Sequence, residues 1–176
     1  MPNWCSNSVT IRHENTAKLK ELVTAMNEGK FCSHVIPLPK ELENAVADSS
    51  INEENIRKFG YSNWYDYCVN EWGTKWEVDC YNSAELNDNE ITASFDSAWA
   101  PPIGVYEELT KQGFYVEAYY YEPGCAFVGK YQDGFDECFG FDNCNSENVR
   151  DVIGEELDDY FAISESMAEW EEENDG

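Results

Sequence analysis

Positive charge is what this 176-residue chain has least of: 11 Lys and Arg stand against 36 Asp and Glu, a formal net charge of −25. A field of that sign repels nucleic-acid phosphates and anionic membrane surfaces, and it attracts cations and Arg/Lys-rich grooves. Histidine is scarce too, with only His13 and His34, neither in a recognisable triad context. The seven cysteines, at 5, 32, 68, 80, 125, 138 and 144, contain no C-x-x-C, so zinc and iron–sulphur ligand spacings are missing. They read as reduced core residues. No apolar run approaches the ~20 residues that span a bilayer, and no signal peptide follows Met1. The expectation is a protein of the reducing cytoplasm, off the membrane, with no catalytic residues and no cofactor.

Apolar material is plentiful. A hydrophobic content of 42% with 15% aromatics provides a core, and 176 residues suit one domain rather than two. The boundaries expected are a single domain over 1–164 and an acidic tail over 165–176. Charge is unevenly placed: residues 1–60 hold 7 basic against 8 acidic side chains, whereas 61–176 hold 4 against 28. Solubility alone needs far less.

The chain is organised around residues 90–113. Ile91, Ala93 and Phe95 alternate with Glu90, Thr92 and Ser94, the period of a half-buried strand. Pro101-Pro102 stops that strand and opens a helix carrying Ile103, Tyr106 and Leu109, which Gly113 ends. Upstream, Val9 and Ile11 mark a first strand. Asn15 or Thr16 caps a helix with Leu19, Leu22, Val23 and Met26 on one face.

The prolines after Phe31 predict an extended loop or edge strand to Pro39, and Glu41 to Ser50 reads as mobile. A short helix ends at Gly60. Ser62 caps another that runs to Trp72, and Lys75 to Tyr81 alternates as a strand with Trp76, Val78 and Cys80 inward. Phe114 to Glu122, Cys125 to Tyr131 and Phe135 to Phe141 form further strands. One helix then starts at Ser146, with Val149, Val152, Ile153, Leu157, Tyr160 and Phe161 as its apolar stripe. The tail beyond Ser164 is expected to be frayed or weakly docked.

Without its insertions this order is β-α-β-β-α-β. It predicts an α+β, ferredoxin-like two-layer sandwich: an antiparallel sheet with helices on one face, an extra hairpin and a C-terminal acidic helix. Asn3-Trp4-Cys5, Trp64-Tyr65-Asp66, Trp72-Gly-Thr-Lys-Trp76 and Ala98-Trp99-Ala100-Pro101-Pro102 resemble the motifs of the YubB-type ferredoxin-like domain family over roughly residues 2–140. That resemblance implies the fold and a phage or plasmid origin, and no reaction.

Trp4, Trp64, Trp72, Trp76 and Trp99 are expected to pack in the core rather than to form a stacking platform for bases or a ligand cage, and Lys75 to sit in a partly buried ion pair rather than to act as a functional cation. Asp133, Asp136, Glu137, Asp142, Asn143, Asn145 and Glu147 crowd 15 residues without an EF-hand pattern. No metal site is assigned there, although a divalent-cation protein or cation-dependent enzyme using the 133–147 cluster is the alternative reading.

The leading reading is non-enzymatic. Carboxylates on the last helix, Glu147, Asp151, Glu155, Glu156, Asp158 and Asp159, helped by Asp133, Asp136 and Glu137, present a nucleic-acid-like surface to a basic DNA- or RNA-binding host protein such as a nuclease or a restriction or CRISPR effector. Residues four apart on a helix rise about 6 Å, a coarse echo of phosphate spacing. A third reading makes the sheet face with Tyr115, Glu117, Tyr119 and Tyr121 a contact for a second copy or a host subunit.

Overall fold

The computed structural model describes residues 2–47 and 51–174. Residues 48–50 of the stretch read as mobile, and 175–176 of the tail, lie outside them. The sheet has six strands: β1 (Trp4–Arg12), β2 (Glu85–Asn87), β3 (Glu90–Ala98), β4 (Tyr115–Glu122), β5 (Phe127–Gln132) and β6 (Phe135–Gly140). Their spatial order is β2-β3-β1-β4-β5-β6, and every pairing is antiparallel. The first four make the ferredoxin-like arrangement, and β5–β6 is the additional hairpin.

Two helices cover one face as expected, α1 (Thr16–Asn27) and α6 (Ile103–Lys111). Asn15 caps α1 by accepting from Ala17 and Lys18 N–H. Leu19, Leu22 and Met26 of α1, with Val105, Tyr106 and Leu109 of α6, are buried against Val9, Ile11, Ile91, Phe95, Val116 and Ala118 of the sheet. Burial of each aliphatic or aromatic side chain contributes about 1.5–3 kcal/mol. The Tyr106 hydroxyl keeps a partner inside by donating to Asn7 Oδ1 at 3.0 Å, and the Asn7 amide donates to Cys5 O and Ser97 Oγ.

Between α1 and the sheet edge, four elements differ from the reading of the sequence. Phe31–Val35 is a helix, α2, because the Glu77 carboxylate accepts from the N–H groups of Cys32 at 2.6 Å and Ser33 at 2.9 Å. Lys40–Glu43 is α3, anchored by the fully buried Leu42. After α4 (Glu53–Phe59), the cap of α5 (Trp64–Tyr67) is Asn63 rather than Ser62, and the helix widens into a π turn over Cys68–Trp72. Residues 75–81 bury Val78 and Cys80 without joining the sheet, whose edge is taken by β2.

The C-terminal segment is three helices, α7 (Val149–Ile153), α8 (Glu155–Phe161) and α9 (Ile163–Asn174). Gly154 at φ 87° and Ala162 at φ 52° break what reads as one apolar stripe. Ser146 is not the cap; its N–H and hydroxyl both donate to Glu171, which ties α9 back to the start of the segment. Of the two expectations for the tail, frayed or weakly docked, the described residues take the docked one. Val149, Ile153, Leu157 and Ile163 are buried with Val128 and Phe141 in a second core on the opposite sheet face, over β4–β6. Tyr160 stacks on Tyr119 with ring centroids 4.2 Å apart, and Phe161 lies on Tyr121 at 5.3 Å. The tyrosine face read as a contact for a second copy is thus partly occupied by the chain's own helices. The rest of that face carries Ser6, Ser8, Thr10, Thr92 and Ser94, with Ser8 accepting from the Tyr160 hydroxyl.

Candidate functional site

Two surfaces carry unusual chemistry. The first is the helical cap formed by α7–α9, in which residues 142–173 hold twelve carboxylates and one basic side chain, Arg150. Not all nine residues assigned to an acidic interface face outward. Asp158 is only 2% exposed: it accepts from Ser164 N–H and Oγ, both at 2.7 Å, and from Arg150 Nη1 at 2.9 Å. Burial alone would raise its pKa, but the Ser164 hydrogen bonds and the guanidinium leave its carboxyl below the usual value. Asp158 fixes the α8–α9 junction and presents no charge to a partner. Glu156 accepts from Lys130 at 2.7 Å and from Tyr119 Oη at 2.6 Å, contacts that hold its pKa down. Asp159 and Glu155 flank Arg150 at 2.7 and 3.1 Å.

The row at Asp151, Glu155 and Asp159 is interrupted at Gly154, so it does not form on one helix. An uninterrupted row exists on α9, where Glu165, Glu169, Glu172 and Glu173 are all exposed. Glu147, in the turn before α7, and Asp151, on α7, are exposed as well, whereas Asp133, Asp136 and Glu137 belong to the β5–β6 hairpin. Asp136 accepts from Tyr120 Oη at 2.8 Å. Among the described residues no three His, Cys, Asp or Glu side chains come together to hold a metal ion, so the 133–147 cluster of the sequence is not a cluster in space.

The depressed Asp158 carboxyl carries a pH consequence. A carboxylate with a folded pKa below its unfolded one contributes stability that is present above the unfolded value and lost as pH falls through the folded one. Acidification below about pH 4 should therefore loosen the α8–α9 junction. Trp170, 65% exposed on α9, reports it by fluorescence. An Asp158→Asn variant should already be weakened at pH 7, by about 1–3 kcal/mol, and should show a flatter acid transition.

The second surface is aromatic, and the sequence reading placed its residues in the core. Trp72 is buried, as expected, and its indole N–H donates to Ile36 O. Trp4, Trp76 and Trp99, however, are 48%, 39% and 40% exposed. The β1–β3 register pairs Trp4 with Ala98, which brings the first and last motifs side by side, and the Trp4 and Trp76 rings lie 6.2 Å apart. Lys75 has no ion pair among the described residues. Its Nζ lies 4.5 Å from the Trp76 centroid, 4.8 Å from Trp99 and 5.7 Å from Tyr65. Three chain segments thus surround one ammonium with ring faces. Lys75 also lines, with Trp64, Trp72, Trp76, Pro37 and Leu38, a cleft of about 500 Å³ that includes Glu43 and Glu77. The available signal in the sequence was position: Trp4 and Trp99 stand at strand ends and junctions, outside the periodic apolar stripes.

Residues 71–175 match the model of a family described as the ferredoxin-like domain in Api92-like protein, and the chain belongs to that family. The kinship is ferredoxin-like, as the motifs implied, under a different family name from the one they resemble. Among solved structures, the protein Api92 from Yersinia pseudotuberculosis is similar at 11% identity and a TM-score of 0.43, over 76% of this chain and 95% of that one. No curated protein matches.

Proposed function

We propose that this member of the Api92-like ferredoxin-like family is a non-enzymatic binding protein that offers its acidic helical cap to a basic protein surface of the kind that grips nucleic acid. The observation that supports the reading is the docked cap itself: exposed Asp151, Glu165, Glu169, Glu172 and Glu173 project from helices held to the sheet by a second apolar core, and Glu147 is exposed in the turn that leads into them. Glu155 and Asp159 extend this surface on either side of Arg150. An ordered scaffold keeps like charges close despite their repulsion, which a merely solubilising tail does not need. The YubB-type kinship, a phage or plasmid origin and a host nuclease, restriction or CRISPR effector as target form the finer part of this proposal, as does residence in the host cytoplasm.

The test uses the immobilised protein and a bacterial lysate fraction retained by heparin. A target is expected to bind at low ionic strength and to elute once the Debye length shortens from ~10 Å at 0.1 M to ~3 Å at 1 M salt. The eluted protein should bind DNA or RNA, and the acidic protein should displace that nucleic acid in competition. A captured protein that holds its nucleic acid undisturbed would refute the mimicry.

A further inference from the structure

The aromatic patch is not used by that reading, and three observations point to what it takes. First, Trp99 holds φ at 68°, a left-handed conformation that is costly for a bulky L-residue, yet 40% of it remains exposed. Burial does not explain the strain. Its backbone N–H donates to Asn3 O at 2.9 Å, fixing the ring at the junction of β3 and the Pro101-Pro102 turn. Strain of this kind persists where the surroundings enforce it, and it concentrates at ligand clamps.

Second, the rings of Tyr65, Trp76 and Trp99 already hold a cation, the ammonium of Lys75, which forms no ion pair among the described residues. Lys75 reaches the cage on a flexible four-carbon stem, so it can leave as readily as it entered. Third, the adjoining cleft, which Lys75 also lines, carries Glu43 on walls of tryptophan, while the Glu77 carboxylate there is taken up by the N–H groups of Cys32 and Ser33. An anionic ligand would meet Glu43 and the field of a chain at −25. A cation is favoured by the second and the third.

We infer that the Tyr65, Trp76 and Trp99 cage is a receiving site for an alkylammonium side chain of a bound protein, and that Lys75 occupies it as an internal stand-in when the partner is absent. That the ammonium arrives on a protein rests on the proposed basic partner; the cage chemistry does not. Displacing Lys75 costs its own ring contacts. These are worth about 0.5–1 kcal/mol at an exposed site, so emptying the cage should tighten binding by about two- to fivefold.

The test titrates the full chain with choline and with a peptide bearing trimethyllysine, followed by tryptophan fluorescence. Both should bind. Lys75→Ala should bind each about two- to fivefold more tightly, and Trp99→Ala and Trp76→Ala should bind neither, while circular dichroism verifies that each variant is folded. The uncharged isostere 3,3-dimethylbutanol should bind more weakly than choline. Equal binding of the two probes would reduce the cage to an apolar surface and overturn the inference, as would undiminished binding by Trp99→Ala. Choline bound with the peptide excluded would overturn the assignment to a protein side chain. Charge reversal on the cap should leave choline binding unchanged, so failure of the cage and failure of the acidic interface are read separately.

Discussion

Gly104→Ala is expected to lower the melting temperature by roughly 6–12 °C, a loss of about 3 kcal/mol at the 2–4 °C per kcal/mol typical of this size. In an open helix the exchange would help, since alanine is the better helix former by about 1 kcal/mol. Here Gly104 opens α6 directly against the π turn. A Cβ would stand 1.9 Å from Glu71 O and 2.9 Å from its carbonyl carbon. Backbone atoms have no rotamer to yield with. Relief requires the turn to retreat, and that turn delivers Cys68 and Trp72 to the core. Thermal unfolding by circular dichroism reads the effect, and a variant as stable as the parent would show that α6 and the π turn are not in fixed contact.

The other large effect concerns binding. Glu165→Lys, Glu169→Lys and Glu172→Lys together change the charge of the α9 row by six and leave its internal ties untouched, because Glu171, Asp158 and Glu156 are spared. Affinity for a basic partner should fall at least about 100-fold, since facing like charges cost several kcal/mol. The melting temperature should stay within a few degrees, as these side chains are exposed. Retained affinity would remove α9 from the interface. The parallel reversal at Glu147 and Asp151 then shows whether the first half of the cap carries it.

Much of the architecture was legible because its signals are local. The alternations of β1, β3 and β4 and the Asn15 cap are written in adjacent residues, and they became the strands and helix expected. The failures have a common cause in partners distant along the chain. Residues 75–81 alternate correctly, with Val78 and Cys80 buried, yet no strand forms. The Glu77 carboxylate serves the start of α2, 45 positions earlier, and Asp79 Oδ1 accepts from Tyr81 N–H. Periodicity cannot separate a buried extended segment from a paired strand. At the C-terminus, Gly154 lies within an apolar stripe that continues across it, so the break depends on a backbone angle that composition does not announce.

The candidate site was legible as composition and not as geometry. An excess of carboxylates downstream of Tyr61 was evident, but whether each belongs to a joint, an ion pair or a free row was decided by Arg150, Lys130 and Ser164. Asp158 is the clearest case: its charge is consumed inside. The tryptophans erred in the opposite direction, since size and apolarity argue for the core while the structure exposes three of them.

The hairpin ends the sheet at β6, and among the described residues no strand pairs with its outer margin. Unpaired peptide groups along such a margin invite a neighbouring copy to extend the ladder. Asp136 and Glu137 sit on that strand, with Asp133 at the turn before it. Two molecules approaching margin to margin would press these carboxylates together, so the three residues act as a guard against end-on polymerisation whatever the helices beyond them bind.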